Sequence, residues 1–198
     1  MKQLRLFTIL ATLLCSVSLM AQNKGYEKAL EIFGGPGLSD DSKYSIGVDI
    51  INGYRANETF FIGGGIGFKY AECRYYHSYS SILGEKDVYD SRDHKYLIPV
   101  FARAKVNLTK TNVSPFVAAD LGWTFDVGQN PNKNIEGFFA EPQLGLDLNL
   151  DGLGMYFIAG VNIQNYHYTY FSITSRDSYQ EDKGYMIGTL NFKVGFRF

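Results

Sequence analysis

Gly184–Phe198 reads GYMIGTLNFKVGFRF. Met186, Leu190, Phe192, Val194, Phe196 and Phe198 share one parity, and Tyr185, Thr189, Asn191, Lys193 and Arg197 share the other. A two-residue period puts each set on its own side of an extended strand, one side apolar and one side wet. The stretch is about fifteen residues long, where a strand of a globular protein has about 5–6. A long amphipathic strand ending on Phe198 predicts a sheet that crosses a bilayer.

Working outward, seven further segments carry the same alternation. The first is predicted over Tyr26–Gly34, with Glu27 and Glu31 on it. The second, Lys43–Arg55, sets Tyr44, Ile46, Val48, Ile50 and Tyr54 against Ser45, Gly47, Asp49 and Arg55. The third, Thr59–Tyr76, sets Phe60, Ile62, Ile66, Phe68 and Tyr70 against Gly63, Gly65, Gly67 and Lys69. The fourth, Lys95–Leu108, opposes Tyr96, Ile98, Val100, Ala102, Ala104 and Val106 to Arg103, Lys105 and Asn107. The fifth, Val113–Asp126, opposes Val117, Ala119, Leu121, Trp123 and Phe125 to Asp120 and Thr124. The sixth, Phe138–Leu150, alternates Phe138, Ala140, Leu144, Leu146 and Leu148 with Glu141, Gln143, Asp147 and Asn149. The seventh, Leu153–Tyr170, follows a two-residue hairpin signal at Asp151–Gly152. Pro99 and Pro142 fall inside strands and each removes a ladder donor, so a bulge or a broken pair is expected at both.

The connections alternate long and short along the chain. In an up-and-down barrel successive connections lie at opposite ends, so every long loop falls at one end and every tight turn at the other, as in membrane barrels. Loops are expected over His77–His94, Val127–Gly137 and Phe171–Lys183. With the apolar parity facing lipid, Tyr44, Tyr70, Tyr96, Trp123, Phe125 and Phe138 ring the loop end. Tyr54, Phe60, Phe196 and Phe198 ring the turn end. Aromatic girdles bracketing an aliphatic band mark the two membrane interfaces. Twelve steps of ~3.3 Å tilted by ~40° give a height of ~30 Å, which suits the apolar band plus its girdles. The predicted fold class is therefore all-β: an eight-stranded antiparallel up-and-down transmembrane β-barrel.

The remaining sequence agrees. Residues 1–21 read as a signal peptide, with Lys2 and Arg5 ahead of the apolar run Leu6–Met20. Residues 22–198 form the barrel. After Ala21 no apolar run reaches the length of a spanning helix, so membrane residence requires a closed sheet. A formal net charge of −1 implies no nucleic-acid partner. Cleavage leaves Cys73 as the single cysteine of the barrel, so no internal disulfide can form.

The wet parity carries Glu31, Asp49, Asp120, Glu141 and Asp147 against Lys69, Arg103, Lys105, Lys193 and Arg197. An eight-stranded barrel is just wide enough for side chains to fill it. The expected lumen is a plug of ion pairs rather than an aqueous pore, because an unpaired buried charge costs several kcal/mol. Gly63, Gly65 and Gly67 are expected to clear room for Arg103 and Lys105.

On strand number, loop asymmetry, girdles and the terminal Phe198, the chain resembles the small eight-stranded outer-membrane barrels. These are the OmpA transmembrane domain and OmpX-like proteins of the porin-like outer membrane protein β-barrel family of Gram-negative bacteria. The resemblance implies export to the cell outer membrane, contact with outer-membrane lipid, insertion by the barrel-assembly machinery with Phe198 as its signal, and a monomer without cofactor.

Three roles are open. The first is a closed, salt-bridged barrel with a structural or surface-interaction role, its Tyr-rich loops meeting an extracellular protein or glycan. Tyr75, Tyr76, Tyr79, Tyr89, Tyr166, Tyr168, Tyr170 and Tyr179 crowd that end. Tyrosine supplies contact area at low entropic cost. The second is a narrow porin-like passage for small solutes or ions. The third is an outer-leaflet lipid A hydrolase, for which His77, His94 and His167 fall near Ser78, Ser80 and Asp93. Catalysis would need a serine and a histidine within hydrogen-bond reach, and nothing in the spacing enforces that. No metal site is expected.

Overall fold

The computed structural model describes residues 25–39, 42–80, 86–128, 133–150, 153–173 and 178–198. Within these, side chains are described except at 74–93, 133–134, 150, 153, 166–173, 178–183 and 185. The segment 1–21 expected to be a signal peptide lies outside the described residues.

The strands are β1 (Tyr26–Pro36), β2 (Ser42–Arg55), β3 (Phe60–Ser80), β4 (Lys86–Asn107), β5 (Val113–Asp126), β6 (Lys133–Asn134), β7 (Gly137–Leu150), β8 (Leu153–Ile173) and β9 (Ser178–Arg197). Eight of them close a barrel in sequence order, with β1 pairing both β2 and β9, and every pairing antiparallel. The two-residue β6 stands outside this ring and pairs only with β8, at Lys133↔Tyr168 and Asn134↔His167. Closure leaves the ring no edge, which is how a sheet satisfies its backbone groups in hydrocarbon.

The alternation decides which way each residue faces. Outward residues are apolar and open: Ile62 is 53 % exposed and Leu144 66 %, against 0 % for Glu31 on the inner wall. Burial of apolar groups against protein cannot explain such rows; hydrocarbon around the barrel can. Tyr44, Tyr54, Tyr96, Trp123, Phe125, Phe138 and Phe198 are exposed on this outer face, and Phe60, Tyr70 and Phe196 are half-buried.

Tight turns close one end. At the β2–β3 turn, Asn57 Oδ1 accepts hydrogen bonds from Thr59 N at 2.9 Å, Thr59 Oγ1 at 2.8 Å and Phe60 N at 2.8 Å. One asparagine thus satisfies the donors that the reversal leaves unpaired.

Pro99 and Pro142 each break a pair without a bulge. Between Ile66↔Val100 and Lys69↔Leu97 the β3–β4 ladder has a gap, although Pro99↔Thr124 persists on the β5 side. Between Ala140↔Ile163 and Gln143↔Gly160 the β7–β8 ladder has a gap, although Ala119↔Pro142 persists. The register is the same on both sides of each gap, so no residue is inserted; only the missing N–H is felt. A register shift occurs instead between Ser42 and Tyr44 on β2.

Two expectations are corrected. The loops expected at His77–His94 and Phe171–Lys183 are largely strand, since β3 pairs β4 out to Ser80↔Lys86 and β8 pairs β9 out to Ile173↔Ser178. Above the membrane both faces of a hairpin are wet, so the period-two signal vanishes although the ladder continues. The glycines of β3 do not make room for Arg103 and Lys105. A Cβ on Gly65 would overlap the Phe101 ring, one on Gly63 would meet the Phe61 ring at 2.7 Å, and one on Gly67 would overlap Asp49.

At the β1–β9 seam a Cβ on Gly35 would overlap the backbone carbonyl of Leu190. Backbone cannot step aside as a flexible side chain can. Gly35→Ala is expected to destabilise the barrel by about 1–3 kcal/mol, seen as a lowered urea midpoint; an unchanged midpoint would show that the seam can part.

Candidate lumen plug and outer-rim cluster

Ladder register builds the lumen. Arg103, Asp120 and Glu141 occupy one row across β4, β5 and β7, and Glu31, Asp49 and Gly67 occupy another across β1, β2 and β3. The rows face each other across the barrel, and Arg103 spans the gap. Its Nε donates to Asp120 Oδ1 at 2.6 Å and its Nη2 to Asp120 Oδ2 at 2.6 Å. The same guanidinium reaches Glu31, with Nη1 on Oε1 and Nη2 on Oε2 at 3.0 Å. Tyr156 Oη donates to Glu31 Oε1 at 2.7 Å. The planar fork of arginine matches two carboxylates in a way a lysine could not.

Lys193 of β9 is the second hub. Its Nζ lies 2.8 Å from Glu141 Oε1, 3.6 Å from Asp49 Oδ2 and Asp120 Oδ2, and 3.8 Å from Glu31 Oε2. Amides complete the shell: Asn162 and Asn191 each donate to Glu141 Oε2 at 3.1 Å, and Gln143 Nε2 donates to Asp120 Oδ2 at 2.6 Å.

Nearer the turns, Lys105 Nζ lies 2.7 Å and Arg197 Nη1 2.8 Å from Asp147 Oδ2. Lys105 also sits over the Phe116 ring, 4.1 Å from its centroid, and over Tyr156 at 4.7 Å. Such contacts are favourable where the ammonium is shielded from water.

Lys69 reaches the acids through an amide. Its Nζ donates to Asn162 Oδ1 at 3.3 Å, and Asn162 in turn donates to Glu141 Oε2 at 3.1 Å. Among the described residues Asp49 Oδ1 is buried without a hydrogen-bond partner, whereas Oδ2 faces Lys193.

The inner wall is also greasier than its charges suggest. Phe61, Phe101, Phe116, Phe139 and Tyr156 cluster with Ala29, Ile51 and Ile158, and Ala71, Cys73, Leu97, Ile135 and Ile187 form a second cluster. Inward rings lie over cross-strand glycines: Phe33 against Gly47, Phe116 against Gly145, Tyr156 against Gly195. Sequence reasoning passed over the inward rings Phe33, Phe61, Phe101, Phe116, Phe139 and Tyr156, as it did the buried pair Lys95–Asp126 at 3.1 Å. The signal was present, since Phe101 shares parity with Arg103 and Ile187 with Lys193.

Side chains leave little space. Among the described residues two interior voids measure about 20 and 10 Å³, room for about one water each, since ~10–15 Å³ of such space holds one. A wider recess of about 420 Å³ opens at the turn end, beside Arg55, Asp147 and Arg197.

On the outer face near the loops, Tyr70 Oη and His94 Nδ1 share a hydrogen bond of 2.6 Å, and the two rings stack at 5.8 Å with planes 19° apart. Tyr44 and Tyr96 flank Tyr70 at centroid distances of 6.0 and 5.6 Å. Among the described residues His94 is thus engaged by a tyrosine. The side chains of His77, Ser78, Ser80, Asp93 and His167, and of the loop tyrosines named above, lie outside the described ones. Among the described residues no group of His, Cys, Asp and Glu could hold a metal ion.

No protein-family model and no curated protein matches the chain in sequence. Solved structures do match. The outer membrane protein OprG from Pseudomonas aeruginosa aligns with a TM-score of 0.51 at 10 % identity, over 88 % of this chain and 96 % of that one. The outer membrane protein AlkL, solved in DMPC lipid bilayers, aligns with a TM-score of 0.51 at 13 % identity, over 89 % and 90 %. The N-terminal β-barrel domain of Pseudomonas aeruginosa OprF aligns over 87 % of this chain and 97 % of that one at 16 % identity, with a TM-score of 0.42.

Proposed function

We propose that this small outer-membrane β-barrel is a closed scaffold that presents two projecting hairpins at the cell surface, and that it is neither an open pore nor an enzyme. The observation that carries the reading is the lumen. Arg103 ties β4 to both β1 and β5, Lys193 gathers four carboxylates, and the voids between them hold no more than about a water each. A hydrated ion would have to displace these charges from their partners, and breaking a buried pair costs about 3–5 kcal/mol.

The contact surface is the pair of hairpins. β3–β4 and β8–β9 run on to Ser80↔Lys86 and Ile173↔Ser178, whereas β2 starts at Ser42 and β5 stops at Asp126. Beyond the neighbours' ends, the far edges of β3 and β4 pair with no other strand among the described residues, which suits strand addition by an extracellular protein. A glycan on the tyrosines of these hairpins is the other expected ligand. Phe198 as the signal for the barrel-assembly machinery, residence in the outer membrane as a monomer, and the absence of a cofactor belong to the same reading.

Planar-bilayer recording tests it. The purified protein is expected to give no stable open level at moderate voltage. A reproducible conductance step that requires the folded, heat-modifiable form would replace the closed scaffold with the narrow passage.

A further inference from the structure

We propose that the outer face of β2–β4 around His94 binds the phosphorylated headgroup of a glycolipid in the outer leaflet. The proposal rests on the membrane reading above and adds a ligand to it. Register sets the height of the site. Tyr70 pairs with Tyr96 within the loop-end girdle, and the next outward pair toward the loops is Glu72↔His94, with Tyr44 opposite Glu72 on β2. The girdle marks the interface, so His94 stands one step beyond it, at headgroup height, on a wall otherwise turned to acyl chains.

The chemistry there is polar and pre-ordered. His94 is exposed, and its ring is held by both the hydrogen bond and the stack on Tyr70. With the phenol assigned as donor, Nδ1 accepts, and Nε2 carries the hydrogen on the far side of the imidazole. That N–H points away from the tyrosine and suits a phosphate oxygen. Lys43, partly exposed, pairs at 2.9 Å with the buried Glu72, the residue opposite His94 on the β3–β4 ladder, and so brings an ammonium to the same step of the wall. Below, Tyr44 and Tyr96 are 38 % and 44 % exposed and offer ring faces to a sugar. Near the same end, the exposed residues Leu38 and Met186 are apolar. A girdle needs only rings that straddle the interface; a positioned imidazole with a neighbouring ammonium does what a girdle does not.

The test uses the full chain in nanodiscs of phosphatidylethanolamine that carry diphosphorylated lipid A or its dephosphorylated form, with retained lipid counted by native mass spectrometry. Heat-modifiable migration is checked first: a chain that does not enter the bilayer as a barrel fails the membrane reading, not this one. For the folded barrel, retention of diphosphorylated lipid A is expected to exceed that of the dephosphorylated form by about tenfold, the size of one hydrogen bond to a charged group. His94→Ala is expected to abolish that preference, and Leu144→Ala on the far wall to preserve it. Equal retention of the two lipids, or a preference that survives His94→Ala or falls equally in Leu144→Ala, would overturn the proposal.

Discussion

Arg103→Ala is expected to lower the stability of the barrel by about 3–5 kcal/mol, read from the urea midpoint in lipid vesicles. The loss does not measure what the ion pairs are worth. It measures what remains: Glu31 at 0 % exposure and Asp120 at 1 %, each deprived of the guanidinium that accounts for its burial. Tyr156 and Gln143 would still donate to them, and Lys193 would remain at 3.8 Å from Glu31 and 3.6 Å from Asp120, beyond the hydrogen-bond distances the guanidinium makes. The companion variant separates the two quantities. Arg103→Met with Glu31→Gln and Asp120→Asn removes the charges together, and replacement of a whole buried ion network is often close to neutral. The triple variant is expected to recover most of the loss. If Arg103→Ala costs less than about 1 kcal/mol, the guanidinium is not what spans the lumen.

The second large effect is expected from Phe101→Ala, again about 3–5 kcal/mol, the range for deleting a buried aromatic ring. Phe101 is 6 % exposed, meets Phe139 edge-on at 6.1 Å, and carries the Arg103 guanidinium 5.6 Å from its centroid. Its ring fills the space that a Cβ on Gly65 would need. Two consequences separate this from ordinary core loss. The cavity opens beside Arg103, so the variant is expected to conduct in planar bilayers where the parent does not. A valine at position 65 is also expected to behave oppositely in two backgrounds: Gly65→Val destabilises the parent, where it strikes the ring, and restores part of the loss in Phe101→Ala. Such a change of sign is a coupling that independent sites do not show. Additive effects would mean that ring and glycine are not packed as one unit.

How far the chain could be read without coordinates varies with position. In Phe138–Leu150 every second residue meets lipid and every other one meets the lumen, so parity sufficed to place Glu141 and Asp147 inside. In His77–His94 the sequence shows no period-two pattern, and a strand pair that runs out to Ser80↔Lys86 looked like a loop. Gly63, Gly65 and Gly67 were legible as inward positions, but what fills the space over them comes from neighbouring strands and from Phe61, Phe101 and Asp49, and no local pattern reports that. Tyr70 and His94 lie twenty-four residues apart, brought together only by the register of β3 on β4.

What the amino-acid order determined alone was the sidedness of each strand, the closure those strands require in hydrocarbon, and the end at which the chain turns tightly. These follow from period two, which is a property of a single extended chain. What the tertiary structure alone decided was partnership: which acids Arg103 and Lys193 hold, which ring covers which glycine, and that Lys69 donates to the Asn162 amide. Partnership depends on the stagger between strands far apart in sequence, and a slip of two residues would keep every side chain on its proper face while exchanging every neighbour.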